Sequence, residues 1–316
     1  MSRFLKKFLR ENEGFFSRKS KPAVYLAAYG KHPAWDDHID DIGLDTESLL
    51  LAKQALYVDG IGGQIDSGEW DKLQEHQRLP EFRHIILWKR GNAFLLGRIW
   101  SSRDGKNRTK YPMIACAHCL SVPLSWALTN VLPALAEVEE SCKKTSSAEE
   151  VREIIRRTLA ALRQLLESAP SSQSDDKETA LIDQLGLADE QEKLFRITYH
   201  VCTRLGRYSP GASRNCSGDA PSGQIRLPAA AALISQTLQF WIHFLETQFG
   251  TSVPILLTLP LQQRWLDATT GEPSSRDVYC LRVTPDVLAI ASEVPYEIDD
   301  EFRKAHQGTI EALVAA

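Results

Sequence analysis

The most reactive side chains of this sequence crowd into one loop. Tyr29-Gly30-Lys31-His32-Pro33-Ala34-Trp35-Asp36-Asp37-His38 is followed by Asp40, Asp41, Asp45 and Glu47. Imidazoles beside carboxylates supply metal ligands or general acid–base groups, so His32, Asp36, Asp37 and His38 raise a metal-dependent hydrolase as one reading. Their spacing matches no metal signature, however, and Asp side chains in such a loop also cap turns and the helix that follows. The polar-loop reading is preferred, with no catalytic residue, metal or cofactor expected.

Cys116-Ala117-His118-Cys119 is a second group of metal-ligand types. On a strand, Cys116 and His118 point to one face and Cys119 to the other, which suits a core strand better than a zinc site. Gly60-Ile61-Gly62-Gly63-Gln64-Ile65-Asp66-Ser67-Gly68 lacks the Gly-Lys-Ser/Thr of a phosphate loop and follows a helix-like segment, so it is expected to be a flexible turn. No Gly-x-Ser-x-Gly elbow, HExxH pair or kinase set occurs. The loop Ser102–Pro112 concentrates cations at Arg103, Lys106, Arg108 and Lys110, a set able to grip a phosphate or an acidic partner.

The elements that position these loops follow from periodicity. Ala23–Tyr29 reads as a buried strand, and Glu47–Val58 has helical spacing. Arg83–Trp88 and Ala93–Trp100 form a hairpin turned by Lys89-Arg90-Gly91-Asn92, and Tyr111–Leu120 is a third strand of the meander. The middle, 126–250, is helical. Ser147-Ala148-Glu149-Glu150 forms a capping box before the apolar stripe Val151, Ile154, Ile155, Leu159 and Leu162. A shorter helix covers Asp189–Leu205, and another runs from Pro228 to Gly250. Segments 168–178 and 206–224 read as flexible loops. Val253–Leu259 and Val278–Val283 are strands, and Pro285–Ser292 begins a last helix. With strands at both ends, residues 23–125 and 251–316 are expected to complete one sheet. The fold class is thus α/β (α+β): a central, mostly antiparallel sheet with helices packed on it.

Residues 1–22 form an extension in which seven basic residues (Arg3 to Lys21) face Phe4, Leu5, Phe8 and Leu9 at helical spacing, a pattern suited to peripheral membrane contact or to docking on its own domain. Otherwise 37 basic against 41 acidic residues leave no surplus for general nucleic-acid binding. Six scattered cysteines set no disulfide framework, and neither a signal-peptide pattern nor a membrane-length apolar run is read, so a cytoplasmic location is expected.

Two segments together resemble a family. Tyr29-Gly30-Lys31-x-Pro33-x-x-x-Asp37 is similar to the opening signature of the TagF (ImpM) proteins associated with type VI secretion systems. Ser102, Asp104, Arg108, Tyr111 and Pro112 stand where that family has a Ser-x-Asp-x-x-Gly-Arg-x-Phe-Pro loop, with one extra residue here. Cys280-Leu281-Arg282-x-x-Pro285-Asp286 resembles the family's last strand and helix start, whereas Asp36 replaces a glycine and His38 a phenylalanine. The resemblance implies a longin-like fold and a non-enzymatic regulator that restrains a contractile secretion machine. It also implies partners among regulatory proteins of the forkhead-associated type. A longin-like adaptor for a GTPase or kinase pathway is not separable from it on sequence.

The residues expected to meet a partner are Trp35, Asp36, Asp37, Arg103, Asp104, Lys106 and Arg108, with Trp35 as the apolar anchor. Tyr29, Gly30, Lys31, Pro33, Tyr111 and Pro112 are expected to be structural. Charge reversal at Arg103 and Arg108 is expected to leave stability unchanged.

Overall fold

The computed structural model describes residues 21–168, 185, 187, 191–205 and 223–315. The basic extension and most of the segments 168–178 and 206–224 lie outside the described residues. Among the described residues, no helix is long and apolar enough to cross a membrane.

Seven strands form one antiparallel sheet: β1 (Ala23–Gly30), β2 (Arg83–Arg90), β3 (Ala93–Trp100), β4 (Met113–Leu120), β5 (Gly223–Pro228), β6 (Ile255–Pro260) and β7 (Trp265–Thr270). Their order is β1-β4-β3-β2-β6-β7-β5. Strand β2 pairs with β3 on one side and, through Ile86↔Thr258 and Trp88↔Leu256, with β6 on the other. The early meander and the late strands therefore share one sheet.

Both faces of the sheet are buried, which is why its strands read as continuous apolar runs rather than alternating ones. Leu26, Leu87, Leu96, Ala117, Leu227 and Leu257 face one core. Over that core lie α3 (Leu124–Lys143), α4 (Ala148–Ser168), α5 (Gln191–His200), α6 (Ile234–Phe249) and α7 (Asp300–Ala315). The opposite face carries Ala27, Tyr29, Ile86, Trp88, Leu95 and Cys116. It is covered by a helical run made of α1 (Glu47–Ala52), a π-helical stretch Lys53–Gly62 and α2 (Gly63–Ser67). Thr46 caps α1, its Oγ1 accepting from the Leu49 N–H at 3.3 Å.

Several elements differ from expectation. The glycine-rich stretch Gly60–Gly68 is no loose turn: the helical run passes through Gly60, Gly62 and Gly63 and stops at Gly68. Residues 223–228 form an edge strand, so the helix expected from Pro228 starts at Ile234. Strand β7 has no counterpart in the sequence reading, and helix α3, with Pro133 inside it, falls in the segment expected to be helical without having been bounded there. Asp277–Arg282 is a 3-10 helix, not a strand: the Tyr279 N–H donates to the Arg276 carbonyl at 3.2 Å and the Val283 N–H to the Cys280 carbonyl at 3.3 Å, while the Cys280 thiol donates to the Asp277 carbonyl at 3.1 Å. Pro285–Ser292 is a run of turns, and the last helix begins at Asp300. Ser147 does cap α4, accepting from the Glu150 N–H. The reciprocal half of the capping box is missing, because the Glu150 carboxylate takes its proton donor from Thr145.

Both sheet edges are guarded. On the β1 side, Ala28 and Ile42 exchange backbone hydrogen bonds of 3.0 and 3.2 Å. On the β5 side, the Ala291 N–H donates to the Arg226 carbonyl at 2.8 Å.

Candidate functional site

The two motif-bearing loops, some seventy residues apart in sequence, interlock at one end of the sheet. The chain leaves β1 at Gly30 with φ +118°, and a Cβ there would stand 2.3 Å from the Pro112 carbonyl oxygen. Only glycine avoids that clash. The next residue closes the seam, Lys31 N–H donating to the same Pro112 carbonyl at 3.1 Å. Gly105, at the tip of the second loop, sits just as close to the first. Its N–H donates to the Trp35 carbonyl at 2.7 Å, and a Cβ would press on Asp36, Pro33 and Trp35.

Asp104 is the centre of this joint. Its Oδ1 accepts the backbone N–H groups of Lys106 and Arg108, both at 3.0 Å. Its Oδ2 accepts the Lys31 ammonium at 3.0 Å and the Arg108 guanidinium at 2.7 Å. Burial pushes the Asp104 carboxyl up, but these donors outweigh it and hold the group well below the usual carboxylate range. Lys31, itself buried, also pairs with Asp37. That contact draws the Asp37 carboxyl down against the opposing effect of desolvation. Arg108 reaches the Asp36 carbonyl at 2.7 Å and Asp37 at 3.3 Å, and Lys106 faces Asp36 at 3.8 Å.

The expected interface residues therefore divide. Asp104 is buried, and its oxygens are filled from within the chain, so it holds the loops rather than meeting a partner. Arg108 bridges Asp104, Asp36 and Asp37; reversing its charge would set a carboxylate against two others, so that variant is not neutral for stability. Trp35 is half-buried against the helical core, its Nε1 donating to Asp40 at 3.1 Å and the Arg152 guanidinium 5.5 Å from its ring centre. It anchors the loop on α4. Asp36, Arg103 and Lys106 are exposed. For Arg103 no ion pair is present among the described residues.

The histidines are also placed. Nε2 of His32 donates to the Cys142 carbonyl at 2.9 Å, while Nδ1 accepts from the Ala34 N–H at 3.1 Å. Both ring nitrogens are thus engaged inside the fold, and burial lowers the ring's pKa. His38 stays exposed beside Asp37, edge-on to Tyr57 and Tyr111. Burial, followed by the Lys31 charge, lowers it against the pull of Asp37. Tyr29 and Tyr111 brace this corner from either side of Tyr57. Cys116 and Cys119 are buried on opposite faces, and burial raises both thiols, Cys116 to about 12. Among the described residues, no three His, Cys, Asp or Glu side chains are grouped to hold a metal ion.

Beside the joint opens a cleft of about 650 Å³. His32 and Pro33 of the first loop and Ser101–Arg103 with Thr109 and Lys110 of the second form part of its wall. Arg78, Lys143 and Arg282 close it from three other segments. Arg78 and Lys143 carried no signal in the sequence, and Arg282 stood out only within the segment Cys280–Asp286; each comes from a separate stretch and only the fold unites them. Neither a protein-family model nor a curated protein matches the sequence.

Proposed function

We propose that this chain is a non-enzymatic accessory or regulatory protein of a type VI-like contractile secretion system, acting by protein contacts that restrain assembly. The reading rests on the joint between the two loops. The residues that carry the resemblance to the TagF proteins, Tyr29, Gly30, Lys31, Pro33 and Asp37 with Asp104, Arg108, Tyr111 and Pro112, belong to one interlocked unit. Such a unit presents a rigid polar ridge of Asp36, Lys106 and Arg103, and a ridge fixed before binding loses little entropy on docking. Its alternating charges fit a partner surface of matched polarity, which favours specificity and fast encounter over raw affinity.

The test is affinity capture with the full chain from a bacterium carrying such a system, followed by mass-spectrometric identification. Wild type should recover regulatory or baseplate components, and Asp36→Lys with Lys106→Glu should reduce recovery severalfold while the melting temperature stays within about 2 °C, as surface ion pairs contribute little. Recovery of no secretion component by the wild type would reject the reading.

A further inference from the structure

The cleft beside the joint has an unbalanced lining. Arg78, Arg103, Lys110, Lys143 and Arg282 face Asp71 and Glu81. Lys143 is engaged by Glu139 at 2.5 Å, and Arg78 donates to the Trp70 carbonyl at 3.5 Å with Asp71 as a distant counter-charge at 3.7 Å. Arg103 and Lys110 have no ion pair among the described residues, and both are exposed at the mouth.

Arg282 is fixed in advance. Its Nε donates to the Leu79 carbonyl at 2.9 Å, its Nη2 to the Pro80 carbonyl at 3.3 Å, and its plane lies 4.8 Å from the Phe82 ring centre. Held by carbonyls rather than carboxylates, it keeps its full positive charge. Burial first, and then the neighbouring Arg78, push its pKa down to about 10. Ser101 Oγ accepts from the Phe82 N–H at 2.8 Å, which leaves its own hydrogen to donate. Ser102 and Thr109 add further hydroxyls, while Trp70 and Trp100 give the wall an apolar part. A fixed guanidinium, hydroxyl donors and loose cations at the mouth are the components of a phosphate site. The volume is that of a small-molecule pocket.

We propose that this cleft binds a phosphate-bearing small molecule with more than one anionic group, gripped by Arg78 and Arg282 and drawn in by Arg103 and Lys110. An acidic protein segment would need an extended track of cations rather than an enclosed set. This proposal does not depend on the secretion reading, because its test needs no partner protein.

Calorimetric titration of the full chain with pyrophosphate and with ATP, each without metal, is the experiment. One saturable site is expected, with a Kd below about 1 mM that weakens as salt rises. Pyrophosphate alone would point to the phosphate as the whole ligand, whereas much tighter ATP would point to a nucleotide; both support the site. Arg103→Gln with Lys110→Gln should weaken binding about tenfold, and Arg157→Glu on exposed α4 should leave it unchanged. A second pair, Arg103→Glu with Lys110→Glu, should abolish it, with circular dichroism confirming the fold. Absence of saturable binding, equal loss in Arg157→Glu, or citrate binding as tightly as pyrophosphate would each overturn the proposal.

Discussion

At the scale of single residues, the joint between the loops depends on a carboxylate that no partner sees. The depressed pKa of Asp104 means that folding favours its ionised form. Its contribution is fully present above the unfolded carboxyl pKa of about 4 and disappears as pH falls through the folded value. Asp104→Asn should therefore have a lower urea midpoint than wild type at pH 7, and the gap should narrow by about pH 3. A gap independent of pH would mean that Asp104 acts by shape alone. Gly30→Val should cost on the order of 1–3 kcal/mol or more in urea unfolding, because it adds backbone strain at φ +118° to a clash with the Pro112 carbonyl. An unchanged midpoint would remove the steric argument. The roles of Gly30 and Lys31 as structural residues were legible in the sequence. That of Asp104 was not, since burial decides it and its partner Lys31 lies 73 positions away.

At the scale of elements, what could be read depended on whether the apolar pattern was pure. Strands β1, β3, β4 and β6 are mostly apolar, and β2 carries an unbroken apolar centre at Ile85–Trp88, so these stood out. Strand β7 reads Trp-Leu-Asp-Ala-Thr-Thr and β5 Gly-Gln-Ile-Arg-Leu-Pro, so each looks half polar, although both are buried. Their polarity is spent on one another. Arg226 donates to both oxygens of Asp267, at 2.8 and 2.9 Å, and to the Leu288 carbonyl at 3.2 Å. Only the partner strand shows that these charges belong inside. Arg226→Met strands Asp267 in the core and should cost about 3–5 kcal/mol, while Arg226→Met with Asp267→Leu should recover most of that loss. Chemical denaturation of the two variants checks it. A single-variant loss below about 1 kcal/mol would mean that water reaches Asp267 and the pair is not a sheet fastener. The same dependence on neighbours explains Val278–Val283. It has the composition of a strand but closes against the π-helical stretch, where Val278 fills the space left by Gly60.

At the scale of the whole molecule, the position of β2 decides how the chain can be divided. It is the central strand of seven, and one of its two edges pairs with β6, more than 160 residues later. A fragment ending at residue 125 would keep β1 to β4 but leave β2 as a bare edge carrying Ile85, Leu87 and Trp88. It would also lose α4, α5, α6 and α7, which cover Leu26, Leu87 and Leu96. Open edges and uncovered apolar faces favour aggregation over independent folding. Fragments 1–125 and 245–316 should each be insoluble or lack cooperative unfolding when expressed alone. The complete chain should unfold in one transition, since strands β1, β2, β3, β4 and β6 each contribute to both cores. Calorimetry of the full chain and solubility of the fragments measure this directly. Two separate transitions, or a soluble 1–125 fragment with native-like circular dichroism, would show that the early meander is a unit of its own. In that case the ion pairs and hydrogen bonds at Asp104, all made within residues 31–108, could be studied apart from the sheet's second half.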